Sequence, residues 1–201
     1  MSRMPKQDRS RETRQRLLET TLRVVSERGL HSMTIGQVAE EACVSRGAAQ
    51  HHFPTRESLI KEVLTFFFEQ RRDSLTSSLD ALHEEKGEIE TLDMIRLVIA
   101  FFNDSSYSAA VHVWSAAAND PKVREIVLPA EELISRSVYE MSAQVLKADL
   151  SDQQTRRMVG MLLDLSRGLG LSTMLIDNPD HAERMAQAFA VAFDQTAKRL
   201  N

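Results

Sequence analysis

Every stretch of this chain with a hydrophobic period repeats at three or four residues, and none alternates at two. Leu18, Leu22 and Val25 fall on one helical stripe, and Ile35, Val38, Ala39 and Ala42 on a second. Leu59, Ile60, Val63, Leu64, Phe67 and Phe68 form a third. Strand-like alternation and Asn-Gly hairpin turns are absent. Such a chain folds as packed helices, so its breaks decide its architecture. Gly29, Pro54, Asn119-Asp120-Pro121 and Asp177-Asn178-Pro179 are the stops. They predict helices over about 11–28, 34–42, 45–53, 55–82, 90–103, 107–118, 121–147, 151–176 and 180–199, with a kink or restart at Pro129. The expected fold is all-α: a small three-helix N-terminal head and a larger C-terminal helical bundle, about nine helices in total. The boundary is expected inside the long fourth helix, giving domains 1–68 and 69–201.

Charge divides the chain at the same place. Residues 1–72 carry 13 Lys and Arg against 9 Asp and Glu, whereas the remainder carries 12 against 20. A basic head is drawn to a polyanion and an acidic body is repelled by one. Arg3, Lys6, Arg9, Arg11, Arg14 and Arg16 at the extreme N-terminus suit either a solvated tail or a phosphate grip. The longest apolar run, 97–102, is far short of the roughly 18 residues that a membrane span needs, so no membrane partner is expected. The basic start lacks the apolar core of a secretory signal. One cysteine, Cys43, excludes an internal disulfide and fits a reducing cytoplasm.

The chemistry concentrates at residues 34–53. Thr34 opens a helix, with Gln37 placed as a capping box requires. After a tight connection at Cys43 and Val44, Ser45 caps a helix of about two turns that Pro54 ends. Two short helices joined this way, the second polar and slim, describe a helix-turn-helix. The second helix then lies in the DNA major groove. Gly47 and Ala48 let its backbone approach the duplex, Arg46 suits the O6/N7 edge of guanine, and Gln50 the N6/N7 edge of adenine. Thr34 and Ser45 mark helix N-termini fit for phosphate. His51 is read as a phosphate or base contact, His52 as either a phosphate contact or packing beneath the helix, and Arg56 as a phosphate contact. The histidine pair is not a metal site, because neighbours on a helix point about 100° apart, and no metal or cofactor is expected. Cys43 reads as a semi-buried turn residue in preference to a redox switch.

The run TIGQVAEEACVSRGAAQHHFPTRESLIKEVL resembles the N-terminal domain of the tetracycline-repressor (TetR) family of bacterial transcriptional regulators. The residues that carry the resemblance are Thr34, Ile35, Val38, Ala39, Val44, Ser45, Gly47, His52, Phe53, Pro54, Thr55, Arg56, Glu57 and Leu59. With the first helix it covers about 60 residues, under a third of the chain. It implies an all-α dimeric repressor whose body binds a small effector. Three departures bear on specificity. Cys43 stands where the family usually has glycine, which requires a side chain to tolerate a backbone at positive φ. Ala49 replaces a larger aliphatic residue, and Gln50 with His51 replaces a common tyrosine.

In the body, Phe101, Phe102, Tyr107, His112, Trp114, Met158, Met161 and Met174 either line an effector cavity or form plain core. Phe102, His112, Trp114, Met158 and Met161 are the chosen effector residues. Small residues on the last two helices, including Gly160, Gly168 and Gly170, mark about 151–176 and 180–199 as a homodimer seam. The leading function is a ligand-responsive repressor of a palindrome-like operator in double-stranded DNA. The alternatives are an architectural DNA binder without an effector, or a helical enzyme. An enzyme is disfavoured: the chain has no Gly-x-Ser-x-Gly, phosphate loop, paired Cys and His, or metal cluster.

Overall fold

The structure is a computed structural model in which residues 6–30, 33–104, 106–176 and 178–200 are described. Among them are nine helices: α1 (Lys6–Arg28), α2 (Ile35–Glu41), α3 (Arg46–His52), α4 (Arg56–Lys86), α5 (Thr91–Asn103), α6 (Tyr107–Asn119), α7 (Pro121–Val145), α8 (Gln153–Thr173) and α9 (Pro179–Thr196). No strand is present among the described residues. One isolated bridge pairs Ala148 with Arg199. The helix expected to kink or restart at Pro129 does not restart there: it is one element, α7, with Pro129 inside it. A proline removes one ladder hydrogen bond, and the residues on either side carry the helix on. No helix among the described residues is long and apolar enough to cross a membrane.

The chain forms two compact units. The first is Met1–Gln70 with Ser108–Glu131, and the second is Arg71–Tyr107 with Glu132–Asn201. Both α4 and α7 therefore contribute to each unit. One division between the units falls inside α4, between Gln70 and Arg71. The grouping of Ser108–Glu131 with the head was not expected, because helical period shows which face is apolar and not which element will cover it.

In the first unit, Leu17, Leu18, Val24 and Val25 of α1 bury the inner face, with Leu22 only half-buried. Thr21, also fully buried, donates its hydroxyl to the Leu17 carbonyl at 2.7 Å, so the core holds no orphan there. Gly29, at φ +76°, ends α1 in the left-handed conformation that glycine adopts freely. Arg23 and Arg28 of α1 hold Glu41 of α2 at 2.9 and 2.7 Å. Burial works to raise the Glu41 pKa, but the bonds from Arg28 and Arg23 outweigh it and leave the carboxylate below its ordinary range.

In the second unit, α5 packs against α8 and α9, and α8 against α9. Met94, Ile95, Val98, Val159, Leu162 and Phe193 fill the space between them with no exposure. Gly170 brings α8 against the end of α5 so closely that an added Cβ would meet the Phe102 carbonyl oxygen at 2.0 Å. Arg71 is a buried polar hub. Its guanidinium lies 3.9 Å over the Phe101 ring, holds Asp104 at 2.8 Å, and donates to Ser106 and to the Phe101 carbonyl. The C-terminal segment is stitched back by Asp149 N–H to the Lys198 carbonyl at 2.9 Å and by an Asp152–Lys198 pair at 2.7 Å. Lys198 and the amide and hydroxyl of Thr155 push the Asp152 carboxyl well below its ordinary range.

Candidate functional site

The recognition segment is built by its caps. Thr34 Oγ1 accepts the Gln37 amide at 3.2 Å, and Ser45 Oγ accepts the Ala48 amide at 3.2 Å. Between them α2 ends in paired bonds from Cys43 N–H to the Glu40 carbonyl and from Val44 N–H to the Ala39 carbonyl. That closure needs a left-handed residue at Cys43, whose φ is 54°. The cysteine is exposed, not semi-buried as its small turn position suggested. The next residue, Val44, is half-buried.

α3 then presents two faces. Ala49 and the capping Phe53 are each 1% exposed and seat the helix in the first unit's core. Ala49, smaller than the aliphatic residue usual at this position in the family it resembles, is thus fully covered. Ser45, Arg46, Gly47, Gln50 and His51 are exposed, with Ala48 and His52 half-buried at the margins. Nothing lies within 4 Å of a Cβ built on Gly47, so the front of the helix is open to a large partner. Arg46 does not project: its guanidinium carbon lies 3.8 Å from where a Gly36 Cβ would be, folded against α2.

His52 sits edge-on to His51 at 5.7 Å and against Phe53 at 6.2 Å. Burial, followed by the charges of His51 and Arg14, pushes its pKa below the ordinary 6.5. Of the two roles left open by the sequence, these ring contacts favour packing. Arg14 stands 6.0 Å over the Phe53 ring and pairs with Glu62. Arg9, Arg11 and Arg16 are exposed along α1. Arg3 lies outside the described residues, as does the side chain of Lys6. Arg56 is turned inward. Its Nε donates to the Met33 carbonyl at 3.1 Å and its Nη2 to the Leu30 carbonyl at 2.7 Å.

The residues chosen for the effector do not come together in one unit. His112 and Trp114 belong to the first, where Trp114 Nε1 donates to Glu131 at 2.9 Å. Phe102, Met158 and Met161 belong to the second. Phe102 is core there, edge-on to Phe101 and Tyr107 at 5.0 and 5.7 Å. Met158 is 6% exposed, whereas Met161 is 54% exposed. Residues three apart on a helix differ by about 60° around its axis, enough to put one methionine inside and the other out. A cavity of about 410 Å³ in the second unit lies elsewhere, between α4 and α5. Leu75, Leu82, Leu97 and Phe101 give it apolar walls, while Ser74, Ser78, Asp93, Arg96 and Asp104 supply polar groups. The sequence carried no signal for it, since Asp93 and Asp104 look like ordinary helix-end acids. No group of His, Cys, Asp and Glu among the described residues could hold a metal ion.

Residues 17–63 match the profile of a family described as bacterial regulatory proteins, tetR family. The chain is 28% identical over 193 residues to the HTH-type transcriptional regulator CymR of Pseudomonas putida, covering 95% of this chain and 94% of that protein. It is 26% identical over 185 residues to the HTH-type transcriptional regulator BetI of Cronobacter sakazakii, covering 90% and 88%. Among solved structures, a transcriptional regulator from Saccharomonospora viridis in complex with choline shares the fold. Its TM-score is 0.63 at 21% identity, over 94% of this chain and 99% of that one.

Proposed function

We propose that this chain, a DNA-binding transcriptional regulator of the tetR family, grips a palindrome-like operator as a two-fold dimer and releases it when a small molecule enters its second unit. The observation that carries the reading is α3, a slim helix with an exposed polar front and a fully buried seat. Arg46 and Gln50 read base edges, and Gly47 and Ala48 give the backbone its close approach. Thr34, Ser45 and His51 meet phosphate, with the exposed arginines of α1 adding to the grip. His52 serves mainly as packing. Arg46→Ala should cost about 1–3 kcal/mol on the operator selected from a random pool and relax preference at one position per half-site. Equal losses on operator and random duplex would remove Arg46 from base reading.

The dimer seam is supported by exposed residues that recur every three or four positions. On α8 these are Arg157, Met161, Asp164, Gly168 and Leu171, with Leu175 just past its end, and on α9 Arg184, Ala188, Val191 and Gln195. Leu175 is 86% exposed and Val191 57%, apolar surface that a partner copy would cover. A two-fold axis spaces two α3 helices for half-sites whose centres lie near one turn of DNA, roughly 34–36 Å, or a small multiple of it.

The effector is a small, mostly apolar molecule carrying one or two polar groups, held in the α4–α5 cavity. The cavity's size suits such a ligand, and Ser74, Ser78, Asp93, Arg96 and Asp104 offer groups to hold its polar end. The choline held by the Saccharomonospora viridis regulator is of that kind. α4 is continuous from Arg56, just after the recognition helix, to Lys86 beyond the cavity, so a ligand that displaces Leu75–Leu82 acts on a helix rooted in the head. A ligand preferring the released state tenfold supplies about 1.4 kcal/mol per site. Leu97→Trp, which fills the cavity, should leave operator affinity within about threefold and abolish release by the compound. Release that survives the tryptophan would place the ligand elsewhere.

A further inference from the structure

We infer that Arg56 is a positioning residue that ties the segment entering the helix-turn-helix to the segment leaving it, and does not grip phosphate. The inference rests on the DNA-binding reading above. Arg56 is the first residue of α4, four positions after α3 ends, yet it reaches back 23 and 26 residues to the carbonyls of Met33 and Leu30. Those two residues are 0% and 1% exposed and bracket the connection between α1 and α2. On one side of the bracket Gly29 ends α1, and on the other Thr34 caps α2. The two carbonyls therefore set where α2 begins, and α2 sets α3.

Three further facts agree. A positive charge in the first turn of a helix opposes the helix dipole, so the stability of α4 gives no reason for an arginine there. The backbone that carries Arg56 is itself locked: Thr55 Oγ1 accepts the Ser58 amide at 3.0 Å, and Ser58 Oγ accepts the Thr55 amide at 3.1 Å. Finally, the Nε and Nη2 donors form one of the two-pronged edges of the guanidinium, and that edge is already given to carbonyls. The half-buried side chain is thus held from within the protein.

Lysine decides between the two roles, because it keeps the charge and loses the planar fork. Full-length Arg56→Lys and Arg56→Gln should be titrated with the selected operator and with random duplex across a range of salt, with the folded fraction measured by thermal melting in the same buffers. Affinities are then expressed per folded molecule. A clamp predicts that both variants lose about tenfold or more on the operator and much less on random duplex. The salt slope should not change, because no phosphate contact is lost. If Arg56→Lys binds as the parent does while Arg56→Gln loses about one unit of salt slope on both duplexes, Arg56 grips phosphate and the inference is overturned. Variants that melt early but bind with the parent affinity and operator preference per folded molecule overturn it too, leaving only a stabilising role. A parent protein that selects no duplex at all would sink the DNA-binding reading itself, a result visible before any variant is made.

Discussion

Replacing Gly170 with alanine should destabilise the second unit by about 3–5 kcal/mol and lower its melting midpoint by roughly 10 °C. One methyl group is enough because of what stands in its way. It would lie 2.0 Å from the Phe102 carbonyl oxygen, 3.0 Å from the Phe102 carbonyl carbon and 2.8 Å from Cε1 of Tyr107. A flexible side chain could swing clear, but these atoms cannot. Two belong to the backbone of α5, and the Tyr107 ring is 3% exposed, with its hydroxyl donating to the Arg167 carbonyl at 3.0 Å. Relief requires α8 to move off α5, opening the layer built on Val98, Val159 and Leu162. Gly160, on the same helix, is the control. Nothing lies within 4 Å of its added Cβ, so Gly160→Ala should gain about 0.5–1 kcal/mol from helix propensity alone. Chemical denaturation of both variants at one protein concentration checks the pair. A Gly170→Ala protein as stable as its parent would mean that α8 and α5 are not in this contact.

The second large effect belongs to Phe53. Phe53→Ala should cost the first unit about 3–5 kcal/mol and reduce operator affinity by at least about a hundredfold. Phe53 closes α3 through its amide, which donates to the Ala49 carbonyl at 2.8 Å, and plugs the core with a ring only 1% exposed. Arg14 covers one side of the ring and His52 lies against another. Truncation removes the seat of a seven-residue helix that cannot hold itself in water. Phe53→Leu, which keeps most of the volume, should lose less than half as much stability. Denaturation followed by operator titration measures both quantities. If Phe53→Ala binds operator like its parent, α3 is held by something other than its buried face.

How far these features could be read from the chain depended on the distance between the residues concerned. Helical period and caps are local, and so the nine helices, the Thr34 and Ser45 caps and the Pro54 stop were legible. So was the left-handed turn at Cys43. α1 begins at Lys6, before the expected residue 11, because its polar first turns have no apolar stripe to betray them. α4 runs to Lys86, past the expected 82, for the same reason. Contacts across the chain were illegible. Gly170 meets a residue 68 positions earlier, Arg71 binds one 33 positions later, and Arg56 looks like any basic residue after a proline until its partners are seen. The division of the chosen effector residues between two units was illegible for this reason too. Large apolar side chains in helices announce burial, and Phe102 and Met158 are buried, but their period does not separate a lining from a core.

Arg46 rests with its guanidinium against α2, its central carbon 3.8 Å from where a Cβ on Gly36 would stand. Any contact it makes with a base therefore begins as a departure from the protein's own surface. The consequence is one of timing. Exposed arginines along α1 can meet any stretch of duplex at once and slide along it, since a phosphate looks the same at every step. In the base-reading role proposed for it, Arg46 must first leave one neighbour to gain another, and a guanine edge would repay the exchange. Scanning and stopping are then governed by different side chains, and the dwell time on a site can change without altering the speed of the search.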